Sequence, residues 1–416
     1  MAAMTDSTTT HIVEPLEQRL SSATERVKRA MGDVIGVIPI RVKSPAEFQR
    51  ALKLDRSLTS RLLRALELDD PLASLYRMPG PQGLRLVLKA ARKALADNPE
   101  PIVRAEETVS ELENLVATEV GDWKALQAAL CGWIPEAREQ FEIANRQAAF
   151  RAMSNIKGVT ADVMVSVTLI HPGSANDDWL DRAGITGLCR LKRLRPGTPM
   201  GFLHGSSIAP PPGTERLSLE ANPIDVSHEA PLLREFSSSP TPKFKVRIEG
   251  DIVHYVLEGD DVGLGSLVDL YFADVMRGRY PAHKSISPRP ATPGAVIDVP
   301  VKTLIVDVLV HEDVWRGAEP ELHMYDTAVR GIANPVDDSR DIDRIDVLES
   351  IQNLGTQSSR FRTTEVACYG DMVRFVCSKL GWDSGHFRGF RCRVDYPVYG
   401  TQVSMIFRPP ASGTEA

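Results

Sequence analysis

At Gly158 the spacing of apolar residues changes from a helical to a strand period, and this single break constrains the fold more than any other feature. Upstream, residues 15 to 157 place apolar side chains three or four positions apart, as amphipathic helices require. Glu14 to Met31 does so through Leu16, Leu20, Ala23, Val27 and Ala30. Downstream, Ala161 to Ile170 (ADVMVSVTLI) is β-branched and alternating, and Lys243 to Glu258 reads as two strands turning at Gly250-Asp251. Val296 to Val310, Phe387 to Asp395 and Thr401 to Arg408 read as further strands. Helices are expected at Leu267 to Met276, Arg344 to Leu354 and Gly370 to Leu380, with long loops at Ala209 to Lys243 and Pro281 to Gly294. Helices first and strands later, without regular alternation, predict an α+β chain: a helical N-terminal half and a C-terminal half with a mainly antiparallel sheet.

The helical half is punctuated by start signals. Val34 to Val42 is expected to form a small strand or extended linker. Ser44-Pro45-Ala46-Glu47 then supplies a Ser N-cap, a Pro at the first helical position and a Glu that closes a capping box. Asp55 caps the next helix, and Asp70-Pro71 starts another in the same way. Pro79-Gly80-Pro81 breaks the chain before a helix at Gln82 to Leu95. Longer helices are expected near Val103 to Val116, Trp123 to Ala129 and Pro135 to Ile156.

At 416 residues the chain exceeds one ordinary core and predicts two or three domains. No apolar run reaches the roughly 20 residues needed to span a bilayer. Met1 to Thr10 has no basic segment followed by an apolar one, so no secretory leader is expected there. The five cysteines, Cys131, Cys189, Cys368, Cys377 and Cys392, are odd in number and form no C-x-x-C pair, which fits free thiols in the cytoplasm.

The net charge of −6 conceals an uneven distribution. Between Arg41 and Lys93 stand twelve basic residues against five acidic ones, whereas Asp97 to Phe150 is rich in Glu. A basic module on acidic bulk suits a protein in which only one face meets phosphate. Within that window, Ser44 to Leu66 has the layout of a helix-turn-helix. Pro45 to Leu52 is the supporting helix, Lys53-Leu54-Asp55 the turn and Arg56 to Leu66 the second helix. At about 100° per residue, Leu58, Leu62, Ala65 and Leu66 gather on one side, bordered by Thr59 and Leu63. Arg56, Ser57, Ser60, Arg61 and Arg64 gather opposite, with no carboxylate among them. Guanidinium forks and hydroxyls without carboxylates are what phosphates and base edges select.

The segment Leu54 to Leu63 (LDRSLTSRLL) resembles the turn and recognition helix of bacterial helix-turn-helix transcriptional regulators. Asp69-Asp70-Pro71 and Met78 to Gly83 resemble a group of uncharacterised bacterial proteins. The regulator resemblance covers about 25 residues. Lys53 stands where those proteins usually carry Gly, and Gln49 where they carry a small residue, which points to a strained or longer turn. The resemblance implies DNA contacts from Arg56, Ser57, Ser60, Arg61 and Arg64, with Lys53, Arg41 and Lys43 adding phosphate contacts.

Other constellations carry less. Arg190, Lys192, Arg193 and Arg195 read as the charged protection of a sheet edge. His311-Glu312-Asp313 and His323 have metal-ligand residue types at spacings that match no metal signature. Gly259 to Ser266 is glycine-rich yet lacks a P-loop lysine and reads as a turn. Cys368 and Cys377 read as core, and no catalytic residue, metal or cofactor is assigned.

The expectation is therefore a disordered tail over 1–14, a helix-turn-helix domain over 15–96 and a helical connector or dimerisation region over 97–157. An α+β effector or assembly domain over 158–410 and a short tail over 411–416 complete it. The expected function is regulation of transcription on double-stranded DNA by a homo-oligomer, with a small-molecule effector on the C-terminal half and no membrane. The alternative is an enzyme or assembly protein whose helical half binds a protein partner.

Overall fold

The computed structural model describes residues 14–38, 45–94, 99–204, 213–224, 230–249 and 252–411. The chain divides into two compact units, 1–142 and 143–416, and the division falls inside one helix.

Among the described residues the first unit is helical: α1 (Leu16–Val37), α2 (Pro45–Leu52), α3 (Arg56–Glu67), α4 (Pro71–Arg77), α5 (Pro81–Ala94), α6 (Glu100–Glu119), α7 (Trp123–Leu130) and the start of α8 (Pro135–Lys157). Side-chain caps fix several of these starts. The Asp55 carboxylate accepts the Ser57 and Leu58 amides at 2.7 and 3.3 Å. Asp70 accepts those of Leu72 and Ala73, and Asp122 that of Ala125. One continuous core runs through the unit, including Leu20, Val27, Phe48, Leu62, Leu75, Leu88, Ile102, Val109 and Leu126. Helices α6 and α7, from the expected connector, thus bury their apolar faces in the same core as α1 to α5. The expected strand or linker at Val34 to Val42 is not formed over its first residues. Val34 is fully buried and α1 runs on to Val37, because the apolar stripe of α1 continues that far.

The second unit is built on a seven-stranded sheet with the order β11-β12-β9-β1-β2-β7-β4. Its strands are β1 (Val159–His171), β2 (Trp179–Arg193), β4 (Glu215–Leu217), β7 (Val268–Pro281), β9 (Val301–His311), β11 (Gln352–Gly355) and β12 (Phe387–Asp395). Only β1 and β9 pair in parallel; the other neighbours are antiparallel. Two three-stranded antiparallel sheets accompany it. One joins β3 (Met200–His204), β5 (Phe244–Glu249) and β6 (Ile252–Leu257), and the other β8 (Gly294–Val296), β10 (Glu321–Asp326) and β13 (Thr401–Ile406). Helix α9 (Tyr369–Leu380) covers one face of the main sheet through Met372, Val373 and Val376. The smaller sheets contribute Tyr255, Met324, Val403 and Met405 to the core on the other face. The chain is therefore α+β, with a helical N-terminal half and a sheet-rich C-terminal half.

Three sequence expectations are corrected in this unit. Leu267 to Met276 is not helix but most of β7, which pairs with both β2 and β4. The strand is buried on both faces from Leu270 to Val275, and its apolar run, interrupted only by Asp269 and Asp274, has no alternation to distinguish it from a buried helix. Arg344 to Leu354 is not helix either; it is extended chain leading into the edge strand β11. The Arg190 to Arg195 cluster does not guard an edge, since β2 lies between β1 and β7. Arg190 instead pairs with Asp162 at 2.8 Å, and the buried Arg193 donates to the carbonyls of Thr198 and Asp261. The glycine-rich run is a turn, closing in a 3-10 helix over Gly263–Ser266.

Candidate nucleic-acid interface

The turn between α2 and α3 is built around one strained residue. Lys53 has φ +52°, and the Leu54 amide donates to the Gln49 carbonyl at 3.2 Å. That bond, from the second residue past the helix to its fourth-last, is a Schellman closure with lysine where glycine is usual. Asp55 then leaves the turn extended and caps α3. Its carboxyl lies below the usual range because the Ser57 hydroxyl, then the Ser57 and Leu58 amides, hydrogen-bond the charged form.

Helix α3 sorts its side chains by face. Thr59, Leu62 and Ala65 are fully buried, while Leu58, Leu63 and Leu66 pack partly against the core. Gly83 allows α5 to approach, since a Cβ there would stand 3.0 Å from a Leu58 methyl. Arg56, Ser57, Arg61 and Arg64 are exposed and Ser60 is half-buried, so the residues expected on one outward face do share it. Lys53 is exposed at the turn beside them. Arg41 and Lys43 lie outside the described residues.

Two details change that face. Arg61 is engaged: its guanidinium reaches the Met78 carbonyl at 3.3 Å and the Arg77 carbonyl at 3.5 Å, at the C-terminal end of α4. The helix also runs one residue past Leu66, to an exposed Glu67 on nearly the same azimuth as Arg56. The carboxylate-free stretch therefore ends at Arg64.

The surrounding charge is narrower than the sequence count. Arg85 and Arg92 on α5 are paired with Glu113 and Glu106 on α6, so two of the twelve basic residues are matched by acids of the same unit. The exposed cations Arg50, Lys53, Arg56, Arg61, Arg64 and Arg77 remain on α2, α3, α4 and the turn, and Lys89 and Lys93 on α5.

In the second unit the structure joins residues that sequence reasoning left apart. His171 and His311 end the adjacent parallel strands β1 and β9, with ring centroids 4.8 Å apart in an edge-on arrangement. His171 stacks flat on Trp382 at 4.5 Å, and His311 stacks with His386 at 5.9 Å. Burial pushes His171 and His311 below the usual histidine value, whereas a hydrogen bond to Glu312 raises His386. The only sequence cue was a histidine closing each strand pattern. His323 is not part of this stack; it hydrogen-bonds the Tyr325 hydroxyl on β10 at 2.9 Å. Among the described residues no His, Cys, Asp or Glu group is arranged to hold a metal. Cys377 is core, its thiol pushed up to about 12 by burial, and Cys368 packs partly against the same core. No described helix is long and apolar enough to cross a membrane.

No protein-family model matches the chain, and no curated protein matches it. A solved structure from Parabacteroides distasonis ATCC 8503, described as "a putative protease", aligns at 7% identity with a TM-score of 0.26. The alignment covers 61% of this chain and 41% of that one, so this chain spans less than half of that protein's length. Similarity at that level carries no argument about fold or chemistry.

Proposed function

We propose that the helical unit binds double-stranded DNA with α3 in the major groove, and that the protein regulates transcription as a homo-oligomer whose second unit takes a small-molecule effector. The observation that carries the reading is the outward face of α3. It presents Arg56, Ser57 and Arg64 to solvent with no carboxylate between Asp55 and Glu67, while the exposed Asp55 carboxylate caps the first amides and accepts the Ser57 hydroxyl. Arg56 and Ser57, at the helix N-terminus, are the residues nearest base edges or phosphate in such a docking. Lys53 and Arg50 flank them and contribute charge without reading sequence. Homo-oligomerisation follows from energetics, because one recognition helix seldom supplies both affinity and specificity.

The test is a mobility shift on random-sequence duplex with the wild type and an Arg56→Ala/Arg64→Ala variant. Arg61 is kept, because it holds carbonyls of α4 and its loss would disturb the fold as well as the interface. The wild type is expected to bind with a steep salt dependence. The variant should lose about 1.8 from the slope of log K against log salt, at about 0.9 per phosphate contact. Binding that ignores salt, or a variant that binds as the wild type does, overturns the reading and favours a protein partner for this unit.

A further inference from the structure

Two neighbouring imidazoles in the second unit are held in opposite tautomers by the backbone. His171 and His311 end the parallel strands β1 and β9, their ring centroids 4.8 Å apart. His171 Nδ1 lies 3.0 Å from the Pro172 carbonyl, which can only accept, so Nδ1 carries the proton. Its Nε2 is then a bare lone pair. His311 Nδ1 lies 3.3 Å from the Asp313 amide, which can only donate, so in the neutral ring the proton sits on Nε2. Burial pushes both rings below the usual histidine value, which keeps them neutral at neutral pH.

Both Nε2 atoms are left over. Among the described residues neither has a hydrogen-bond partner, and neither is sealed from solvent. Each ring is also fixed in direction. His171 lies flat on the buried Trp382 at 4.5 Å. His311 meets the Phe387 ring edge-on at 5.7 Å, and on another side stacks with His386, whose Nδ1 is bonded to Glu312. The exposed carboxylates of Glu312, Asp313 and Asp383 lie beside His311 and His386. Arg316 and His386 offset part of that charge, and the remainder repels an anionic ligand. A bare acceptor beside an N–H donor suits a step in which water loses a proton while charge grows on a carbonyl oxygen.

We infer that His171 and His311 form a catalytic pair for the hydrolysis of an uncharged carboxylic ester, His171 as general base and His311 as donor to the oxyanion. His171 Nε2 takes a proton from water as the water oxygen bonds to the ester carbonyl carbon. The carbonyl electron pair moves to its oxygen, which the His311 Nε2–H stabilises. Collapse of that oxyanion breaks the bond to the alkoxy oxygen, which leaves as alcohol with the proton held by His171. Ester and water thus give acid and alcohol, and both rings return to their starting tautomers. Trp382 is a positioning residue, acting through the ring it stacks on. The activity lies within the second unit and does not depend on the DNA reading of the first.

The test is hydrolysis of p-nitrophenyl acetate by the full chain at neutral pH, beside free imidazole at the same concentration. Saturable turnover above the imidazole rate is expected. His171→Gln should lower kcat/KM about a hundredfold, since an amide oxygen accepts a hydrogen bond but does not take up the proton. His311→Ala should lower it about as far, while His311→Gln, which keeps an N–H donor, should restore part of the loss. His323→Gln on β10 is a control expected to have no effect, and p-nitrophenyl phosphate should be the poorer substrate. Circular dichroism at the same pH establishes that each variant is folded, and the two His311 variants carry the test if His171→Gln is not. No saturable turnover, an equal loss in His323→Gln, or full activity in folded His171→Gln or His311→Ala overturns the pair. Faster hydrolysis of the phosphate than of the acetate overturns the substrate class.

Discussion

Arg391 on β12 stands directly opposite Asp307 on β9 and grips both its oxygens, Nε to Oδ1 at 2.8 Å and Nη2 to Oδ2 at 2.6 Å. Asp307 is fully buried, and the Tyr369 hydroxyl from α9 donates to the same carboxylate. The remaining Arg391 donors meet the Phe361 and Arg362 carbonyls. One ion pair thereby ties the main sheet to α9 and to the chain that precedes it. Removing a single partner leaves the other charge buried, so Arg391→Met should cost about 3–5 kcal/mol in urea unfolding. The double variant Asp307→Leu/Arg391→Met should recover much of that loss. A single-variant cost below about 1 kcal/mol would mean that water reaches the carboxylate.

The histidine stack makes stability depend on pH with a definite sign. His171 and His311 have folded values below the ordinary 6.5, mainly through burial. The unfolded chain therefore protonates first as pH falls. Their contribution is complete above about 6.5 and is lost as pH drops from there toward the folded values. His386 acts in the opposite sense: its contribution is present below 6.5 and fades as pH rises through its raised value. Because His386 is exposed to screening water, the two half-buried rings should dominate. Melting temperatures should fall on acidification from neutral pH, and His171→Gln should flatten that fall. An unchanged pH profile in the variant would count against the histidine stack as its cause.

Lys53 holds a left-handed conformation for which its side chain is a burden. Lys53→Gly should stabilise the helical unit by about 0.5–1 kcal/mol, the relief being partly offset by the entropy of an unfolded glycine. Equilibrium unfolding reads this directly, and a destabilised variant would show that the side chain contributes more than its strain costs.

Gly187 of β2 lies opposite Tyr271 of β7 and Val165 of β1. A Cβ at this position would stand 2.4 Å from the Tyr271 ring and 2.9 Å from a Val165 methyl. Both neighbours are in the core and cannot simply swing away. Gly187→Ala should therefore cost about 1–3 kcal/mol by overpacking. A neutral substitution would mean that β2 and β7 slide more freely than their pairing suggests.

The sequence by itself determined what interactions between near neighbours decide. The starts at Asp55 and Asp70 were legible because a carboxylate caps amides two or three residues away. The two faces of α3 followed from helical spacing, and β12 from period-two alternation. Position in a sheet has no such local record. Leu267 to Met276 read as helix because β7 is buried on both faces, and Arg190 read as an edge residue although β2 is interior. The engagement of Arg61 by α4 was likewise invisible, since it depends on how α4 packs beside α3. Tertiary structure alone brought His171 beside His311, Arg182 beside Arg216, and Asp307 against Arg391, 84 residues away in the chain. Strand pairing is chosen by the burial of whole faces, and the side chains it brings together carry no mark of that choice in their own neighbourhoods.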